Sequence, residues 1–196
     1  MTQLYTVFDT ETTGFTHNHV VEFAFVVMDG NFQIQHSESV LVKPADPIEA
    51  GAMEVHGITN EMVADKPSIQ EYFEHNPAWE SYFGELTLIG HNIKGYDIPK
   101  VMNKFRNLDH CQTLDTLALA RALYTQGEVG NHKLQTLVSK FGLPQRDAHR
   151  ALSDVESCID FMQHVQATKG MSIYDMIDLA NNNVKRKKAQ LLAALR

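Results

Sequence analysis

Residues 4–14 read LYTVFDTETTG, an apolar run that passes directly into acidic residues. Leu4–Phe8 predicts a buried strand, and Asp9 and Glu11 follow it two positions apart. Because side chains at positions i and i+2 of a strand point to the same face, the two carboxylates should lie side by side. They would repel each other unless a positive charge lay between them, and no Lys or Arg precedes Lys43. A divalent metal ion could supply that charge, and its other ligands would then come from later in the chain.

The rest of the sequence predicts an α/β fold with five strands. Val20–Met28 and Ile34–Val42 are expected to pair as strands across the Asp29-Gly30-Asn31 turn, because a DG pair between two β-rich runs is a strong hairpin signal. Short strands are expected at Leu86–Gly90 and Gln112–Leu114. Helices are expected at Glu49–Val55, at Asn60–Ala64 with Thr59 as a cap, from Pro67-Ser68 onward, and at Gly95–Asn107, Thr116–Leu123, Lys133–Phe141 and Ala151–Ala167, with two helical stretches appended. Three meandering strands followed by strands alternating with helices predict a mixed sheet flanked by helices.

Composition limits the class of protein. The 196 residues are 43% apolar, which suits one domain with a real core. No apolar run approaches the roughly 18 residues that span a bilayer, and the start lacks a signal-peptide pattern. Two cysteines, Cys111 and Cys158, in no metal-like or redox-like spacing predict a reduced, cytoplasmic protein without membrane association. The net charge of −7 is unevenly spread, since residues 184–196 hold five cations and no acid.

Two further acids lie where ligands for a metal would be expected. Asp97 follows the LTLIG strand at the start of a predicted helix, and Asp154 lies near the start of the helix at 151–167. With Asp9 and Glu11 they make four carboxylates at element ends, a hard oxygen set that suits Mg²⁺ or Mn²⁺ rather than zinc. Two such ions roughly 3.5–4 Å apart can clamp an in-line phosphoryl displacement. The alternative is structural: Asp97 as a cap, and Asp154 as an acid favoured by the helix dipole.

His149 is the candidate general base. It lies five residues before Asp154, which on a helix is about 140° of rotation, so the two side chains could not share one helix face. We therefore expect His149 on the loop or first turn before the helix, leaning toward the carboxylates. A neutral imidazole in that place could take the proton from an attacking water.

Three motifs in order carry a family resemblance: FDTETTG at 8–14, HNIKGYD at 91–97 and HRALSD at 149–154. They resemble the exonuclease motifs of the DnaQ-like, or DEDDh, 3′–5′ exonucleases, which have a ribonuclease H-like fold. The match spans roughly residues 4–167, which implies an exonuclease domain at 1–168 and a C-terminal helical appendage with a basic tail at 169–196. The resemblance implies two Mg²⁺ or Mn²⁺ ions and His149 as general base. The metal ligands that it implies are Asp9, Glu11, Asp97 and Asp154. It also implies that Asp115 is a structural acid that caps a helix.

The resemblance implies a 3′–5′ exodeoxyribonuclease that releases nucleoside 5′-monophosphates in DNA repair, degradation or proofreading. Within the family, residues 42–69 resemble the exonuclease X branch and, around VHGIT, the proofreading epsilon subunits. The expected contacts of the terminal nucleotide are Thr13, Phe15, Met53, His56, Asn92 and Tyr96. Phe15 and Tyr96 could stack on or wedge against a base, or pack in the core. His56 could equally close a turn.

Three other functions stay open at this stage. An RNA exonuclease would use the same chemistry, and a proofreading subunit would need a polymerase partner. A nucleic-acid-binding protein without catalysis would be expected to lack at least one ligand, and none is missing. The expected partner is nucleic acid with a free 3′ end, DNA favoured, with a polymerase or other protein docking through the C-terminal segment. In that segment Lys185–Lys188 could contact phosphates, or the terminal helix could be solvated.

Overall fold

A five-stranded mixed sheet forms the centre of the computed structural model, which describes residues 3–105 and 107–182. The strands are β1 (Leu4–Thr12), β2 (Val20–Asp29), β3 (Ile34–Leu41), β4 (Thr87–Gly90) and β5 (Thr113–Asp115). Their order across the sheet is β3-β2-β1-β4-β5. Strands β1, β2 and β3 pair antiparallel, whereas β4 is parallel to both β1 and β5. The predicted mixed sheet is therefore confirmed.

Helices cover both faces of the sheet. They are α1 (Ala50–His56), α2 (Asn60–Val63), α3 (Ile69–His75), α4 (Trp79–Gly84), α5 (Thr116–Leu123), α6 (Gln126–Val129), α7 (Leu134–Phe141) and α8 (Ala151–Lys169), and residues 173–182 are also helical. Helices α5, α7, α8 and the helix at 173–182 pack on one face, and α3 and α4 pack on the other. Because both faces are covered, β1 and β2 are buried along most of their length, which explains their nearly unbroken apolar sequences. No helix within the described ranges has the length and apolar character to cross a membrane.

The face of β1 that carries the acids is the face covered by α8. Tyr5 and Val7 belong to the core cluster under α8, and the alternation of the strand continues on that face with Asp9 and Glu11. Glu11 pairs with Glu22 of β2, and a register shift follows between Glu11 and Thr12. Irregularities of this kind are common beside active sites, where they redirect a side chain or end the pairing.

The predicted helix at Gly95–Asn107 is wrong. Residues Asp97–Val101 form a π-helical turn, and Met102–Lys104 form a 3₁₀ turn. Pro99 has no backbone N–H and therefore cannot donate the hydrogen bond that a regular helix needs at this position. The N–H of Ile98 instead donates to the carbonyl of Ile93, five residues earlier. Single π-helical turns occur often at functional sites, and this one begins at a predicted ligand.

Smaller differences concern caps and short helices. Thr59 occupies the N-cap position of α2, but its side chain does not cap the helix. Ser68 and Glu71 do form a capping box at α3, in agreement with a helix start at Pro67-Ser68. The sequence pattern does not predict helices α4 and α6, although Thr125 and Glu128 give α6 the capping-box spacing. Of the appended helical stretches, the one at 173–182 is described, whereas the basic tail lies outside the described residues.

Candidate active site

The carboxylates converge from three elements at one end of the sheet. Asp9 and Glu11 lie toward the end of β1, Asp97 begins the turn after β4, and Asp154 lies in the first turn of α8. Because β1 and β4 are parallel neighbours, their carboxyl ends meet at the same edge, which is where α/β sheets place their sites. Glu11, His149 and Asp154 each offer a ligand atom, and these atoms lie within 4.8 Å of one another. The structure thus brings together residues that are far apart in the sequence.

Burial and mutual repulsion disfavour the charged form of these acids. The pKa of Asp9 is raised well above its usual value by burial and then by the charges of Asp97 and Glu11. Burial raises the pKa of Asp97 to about 6, although the hydroxyl of Thr10 donates to its Oδ1 at 2.6 Å. Burial and the charges of Asp154 and then Glu22 raise the pKa of Glu11 to about 8. Clustered carboxylates of this kind favour a bound cation, which would lower all of these pKa values together.

The donor set therefore fits a divalent metal ion. The four carboxylates offer the oxygen ligands that such an ion prefers, and donor atoms of Glu11 and Asp154 already lie within 4.8 Å of each other. Asp154 has fixed neighbours, because Gln135 Nε2 donates to its Oδ1 at 2.8 Å and the His149 N–H donates to its Oδ2 at 3.2 Å. Burial is the main cause of the raised pKa of Asp154.

His149 lies where the sequence predicts, on the loop directly before α8. Its backbone has a φ of 63°, in the left-handed region that residues other than glycine rarely adopt. The side chain is exposed. The backbone N–H of His149 donates a hydrogen bond to Asp154, and this bond ties the residue to the carboxylate cluster. A strained backbone held by its surroundings is typical of residues placed for function.

Sequence reasoning missed an ion pair that supports this loop. Glu22 is only 2% exposed and accepts two hydrogen bonds from Arg150, one from Nε at 3.1 Å and one from Nη2 at 2.7 Å. The Ala151 N–H also donates to Glu22, at 2.9 Å. The pair fixes the start of α8 against β2, next to both His149 and Glu11. The available signal was Glu22 itself, the one charged residue within the apolar run of β2 at 20–28.

Asp115 has the capping role that the resemblance implies. Its Oδ1 accepts the N–H of Leu117 at 3.0 Å and that of Ala118 at 3.4 Å at the start of α5. The same carboxylate also accepts the N–H groups of Asn92 and Lys94, at 3.0 and 3.2 Å. Asp115 therefore also holds the HNIKGYD segment that carries Asp97.

Two cavities flank the carboxylate cluster. The larger cavity has a volume of about 1080 Å³ and is lined by Asp9, His149 and Asp154, among others. The smaller cavity has a volume of about 330 Å³ and is lined by residues that include Glu11. Phe15, which is 89% exposed, lines both cavities. The carboxylate cluster thus borders both cavities, and the exposed ring of Phe15 lines both as well.

Four of the six predicted nucleotide contacts line these cavities. Phe15 and Asn92 line the larger cavity, and His56 and Tyr96 line the smaller one together with Phe15. The hydroxyl of Tyr96 donates to Asn18 Oδ1 at 2.6 Å, so its ring is held in place beside the carboxylates.

Thr13 and Met53 are not among the lining residues of these two cavities. Thr13 is buried, and its hydroxyl accepts the His19 N–H at 3.2 Å, so it closes the loop after β1. Met53 packs against the small core cluster beneath α1 and α2.

His56 does close a turn. Its Nδ1 accepts the Ile58 N–H at 3.0 Å, and its Nε2 lies 3.2 Å from the Thr12 carbonyl. Both ring nitrogens are therefore engaged within the protein, and what His56 presents to the smaller cavity is its ring.

Comparison with protein families gives one match that covers most of the chain. The model of the RNase_T family, described as Exonuclease, matches residues 6–162. The DNA polymerase III PolC-type protein of Bacillus cereus is 34% identical over 161 residues, which are 79% of this chain and 11% of that protein. The DNA polymerase III subunit epsilon of Haemophilus influenzae is 31% identical over 170 residues, which are 79% of this chain and 64% of that protein. The chain thus spans about a tenth of the length of PolC-type relatives.

Solved structures show the same architecture. Exonuclease X in complex with 5′-overhanging duplex DNA superposes with a TM-score of 0.69 at 29% identity, covering 90% of this chain and 99% of that one. E. coli exonuclease I in complex with a dA16 oligonucleotide gives a TM-score of 0.70 at 22% identity, covering 90% of this chain and 42% of that one. The fold is therefore the ribonuclease H-like fold that the three motifs predict.

Proposed function

The chain belongs to the exonuclease family, and on this premise we propose that it is a metal-dependent 3′–5′ exodeoxyribonuclease that releases nucleoside 5′-monophosphates. The observation that carries the proposal is the clustering of Glu11, His149 and Asp154 beside the buried acids Asp9 and Asp97. Phosphodiester hydrolysis needs positive charge at the phosphate and a base for water, and this cluster can provide for both.

The four carboxylates would hold two Mg²⁺ or Mn²⁺ ions. When bound, such ions supply positive charge to the scissile phosphate and to the attacking and leaving oxygens. The raised pKa values of Asp9, Glu11 and Asp97 support this assignment, because burial, together with neighbouring carboxylates, makes the charged forms of these acids unfavourable unless a cation is bound. Thr10 donates a hydrogen bond to Asp97, and Gln135 donates one to Asp154. These two hydrogen bonds would orient the carboxylates toward the metal ions.

His149 would accept the proton of the attacking water. The residue is exposed toward the larger cavity, and its backbone is fixed to Asp154. The Glu22–Arg150 pair keeps the loop of His149 at the start of α8, so the backbone that carries the imidazole is in place before substrate arrives. Preorganised placement of this kind reduces the entropy that must be lost in the reaction.

The 3′-terminal nucleotide would occupy the smaller cavity. Its volume of about 330 Å³ lies at the low end of the range typical of small-molecule pockets. The rings of Phe15 and Tyr96 border it and can stack on any base, as sequence-tolerant binding requires. Asn92 would contact the nucleotide from the larger cavity.

DNA is the proposed substrate, and a polymerase is a proposed partner. The support is that relatives at 34% and 31% identity are DNA polymerase III proteins and that exonuclease X, at 29% identity, has been solved with duplex DNA. A cytoplasmic location, the division at residue 168 and docking through the C-terminal segment belong to the same proposal. Residues 183–196 of that segment lie outside the described residues.

A timed digest tests the proposal. Single- and double-stranded DNA and RNA oligomers of matched sequence are incubated with the protein, in Mg²⁺ and in EDTA. We expect nucleoside 5′-monophosphates from DNA in Mg²⁺, slower release from RNA, and none in EDTA. Faster digestion of RNA would favour the exoribonuclease alternative, and an undiminished rate in EDTA would rule out the metal-dependent mechanism.

A further inference from the structure

The larger cavity extends well beyond the carboxylates. Its volume of about 1080 Å³ is roughly three times that of the smaller cavity, so it exceeds what one nucleotide needs. Its far side is formed by the end of α5, by α6 and by the start of α7. We call this side the α5–α7 wall, and its lining residues include Arg121, Tyr124, Gln126, Asn131, His132 and Lys133.

The α5–α7 wall carries the positive charge of the cavity. The acids that line the cavity, Asp9 and Asp154, belong to the carboxylate cluster, whereas Arg121 and Lys133 lie on the wall. Among residues 3–105 and 107–182, neither cation forms an ion pair. In a chain of net charge −7, two uncompensated cations facing one cavity are suited to bind a polyanion.

Lys133 also occupies a position that helix formation does not favour. It is the N-cap residue of α7 and makes no capping hydrogen bond. Ser, Thr, Asp and Asn are preferred there, and a cation opposes the positive end of the helix dipole. A residue that breaks a local preference without a structural gain is expected at a functional position.

The wall is held in place before any ligand binds. His132 Nε2 lies 2.9 Å from the Tyr124 carbonyl, which joins the loop before α7 to the end of α5. His91, whose pKa burial lowers to about 4, lies with its Nδ1 3.0 Å from the Thr116 hydroxyl and also hydrogen-bonds the backbone of His132. These contacts tie the wall to the end of β4, next to the carboxylate cluster.

We propose that the α5–α7 wall binds the sugar-phosphate backbone of the nucleotides that precede the 3′-terminal one, with Arg121 and Lys133 contacting phosphates. The inference rests on the proposed function and deepens it by giving the path of the strand. The terminal nucleotide lies in the smaller cavity, the scissile phosphate lies at the carboxylates, and the single strand continues through the larger cavity past Phe15.

The variants Arg121→Gln and Lys133→Gln, and the two combined, test this path. Lys140→Gln is the matched control, because Lys140 is exposed on α7, the helix whose N-cap is Lys133, but does not line the cavity. Two probes separate the sites. The p-nitrophenyl ester of thymidine 5′-monophosphate reaches only the terminal position, whereas a single-stranded DNA of about ten nucleotides also reaches the wall.

We expect the ratio of kcat/KM for the DNA to kcat/KM for the ester to fall roughly tenfold in the double variant and to stay constant in the control. Binding of the DNA, measured with Ca²⁺ to suppress cleavage, should lose about 0.7 from the slope of log K against log salt for each cation removed. An unchanged slope, or an equal fall for ester and DNA, would overturn the proposal. Because binding is measured without cleavage, a wild-type protein that cleaves neither probe would reject the proposed function and still leave the wall tested by the slope.

Discussion

Glu11 lies near Asp154 of α8 and pairs with Glu22 of the neighbouring strand, and burial together with the charges of these two acids raises its pKa to about 8. The i, i+2 rule predicts the closeness of Asp9 and Glu11 from the sequence, because it depends on the strand alone. The contribution of Glu22 could not be predicted in this way, because it depends on which residue of β2 pairs with Glu11. The residues found from sequence are thus those whose grouping follows from local periodicity or from the three motifs.

Removing a central carboxylate should abolish hydrolysis. We expect Asp9→Ala and Asp154→Ala to lose nearly all activity, by at least about 100-fold, because each removes negative charge that would hold the metal ions. Steady-state rates on a DNA oligomer in Mg²⁺ measure the loss. Glu54→Gln, which changes an exposed acid on α1, serves as the control and should keep its rate. Near-normal turnover in either alanine variant would remove that acid from the site.

His149→Ala should slow hydrolysis by roughly 10²–10⁴-fold, the range typical of general bases. In the wild type the rate should fall toward acid pH, because a protonated imidazole cannot accept a proton from water. In the His149→Ala variant, the rate should no longer show this fall toward acid pH, and the metal should still bind. His110→Ala removes another exposed histidine and should behave as the wild type. Equal rates in the two alanine variants would exclude His149 as the base.

The acid cluster also predicts how stability depends on pH without metal. An acid whose pKa is higher in the folded chain contributes stability that is full below its unfolded value, here 4.5 for Glu11, and is lost as the pH rises through about 8. The Tm in EDTA should therefore fall between pH 5 and pH 8, and less steeply in Glu11→Gln. Added Mg²⁺ should raise the Tm more at the higher pH. A Glu11→Gln profile parallel to that of the wild type would contradict the raised pKa.

At the scale of elements, the sequence predicts a helix or strand correctly where residues close together in the chain determine its ends. The predicted range of helix α5, Thr116–Leu123, agrees with the structure, because Asp115 caps the helix and an apolar face follows. Strand β1 runs four residues beyond the predicted Leu4–Phe8, because its pairing with β2 continues through the acids. The turns at Asp97–Val101 and Met102–Lys104 replace a predicted helix, because Pro99 interrupts it after the first turn.

The joint between β2 and α8 can be tested by removing Arg150. The Arg150→Ala variant leaves Glu22 buried without its cation, and because the arginine is itself 42% exposed we expect a loss of about 1–3 kcal/mol in the free energy of unfolding. Urea denaturation measures it. Adding Glu22→Gln should recover part of the loss, since the remaining buried group is then neutral. A double variant less stable than Arg150→Ala would show that the unpaired charge is not the cause.

At the scale of the whole molecule, the strand order explains how the site is assembled. With β1 between β2 and β4, the ends of β1 and β4 meet, and α8 crosses the face that carries Asp9 and Glu11. The sequence predicts the number of strands and the mixed sheet, but strand order depends on contacts between distant segments and could not be derived from one sequence. The three motifs lie up to about 140 residues apart and come together only through this order.

Digestion of one single-stranded DNA oligomer, labelled at its 5′ end in one sample and at its 3′ end in another, tests the central claim most directly. With Mg²⁺ the account predicts that the 3′ label is released at once as a nucleoside 5′-monophosphate, while the 5′-labelled strand shortens stepwise. Asp9→Ala should leave both strands intact. Immediate release of the 5′ label, or internal cuts that leave the 3′ label on longer fragments, would contradict a 3′–5′ exonuclease.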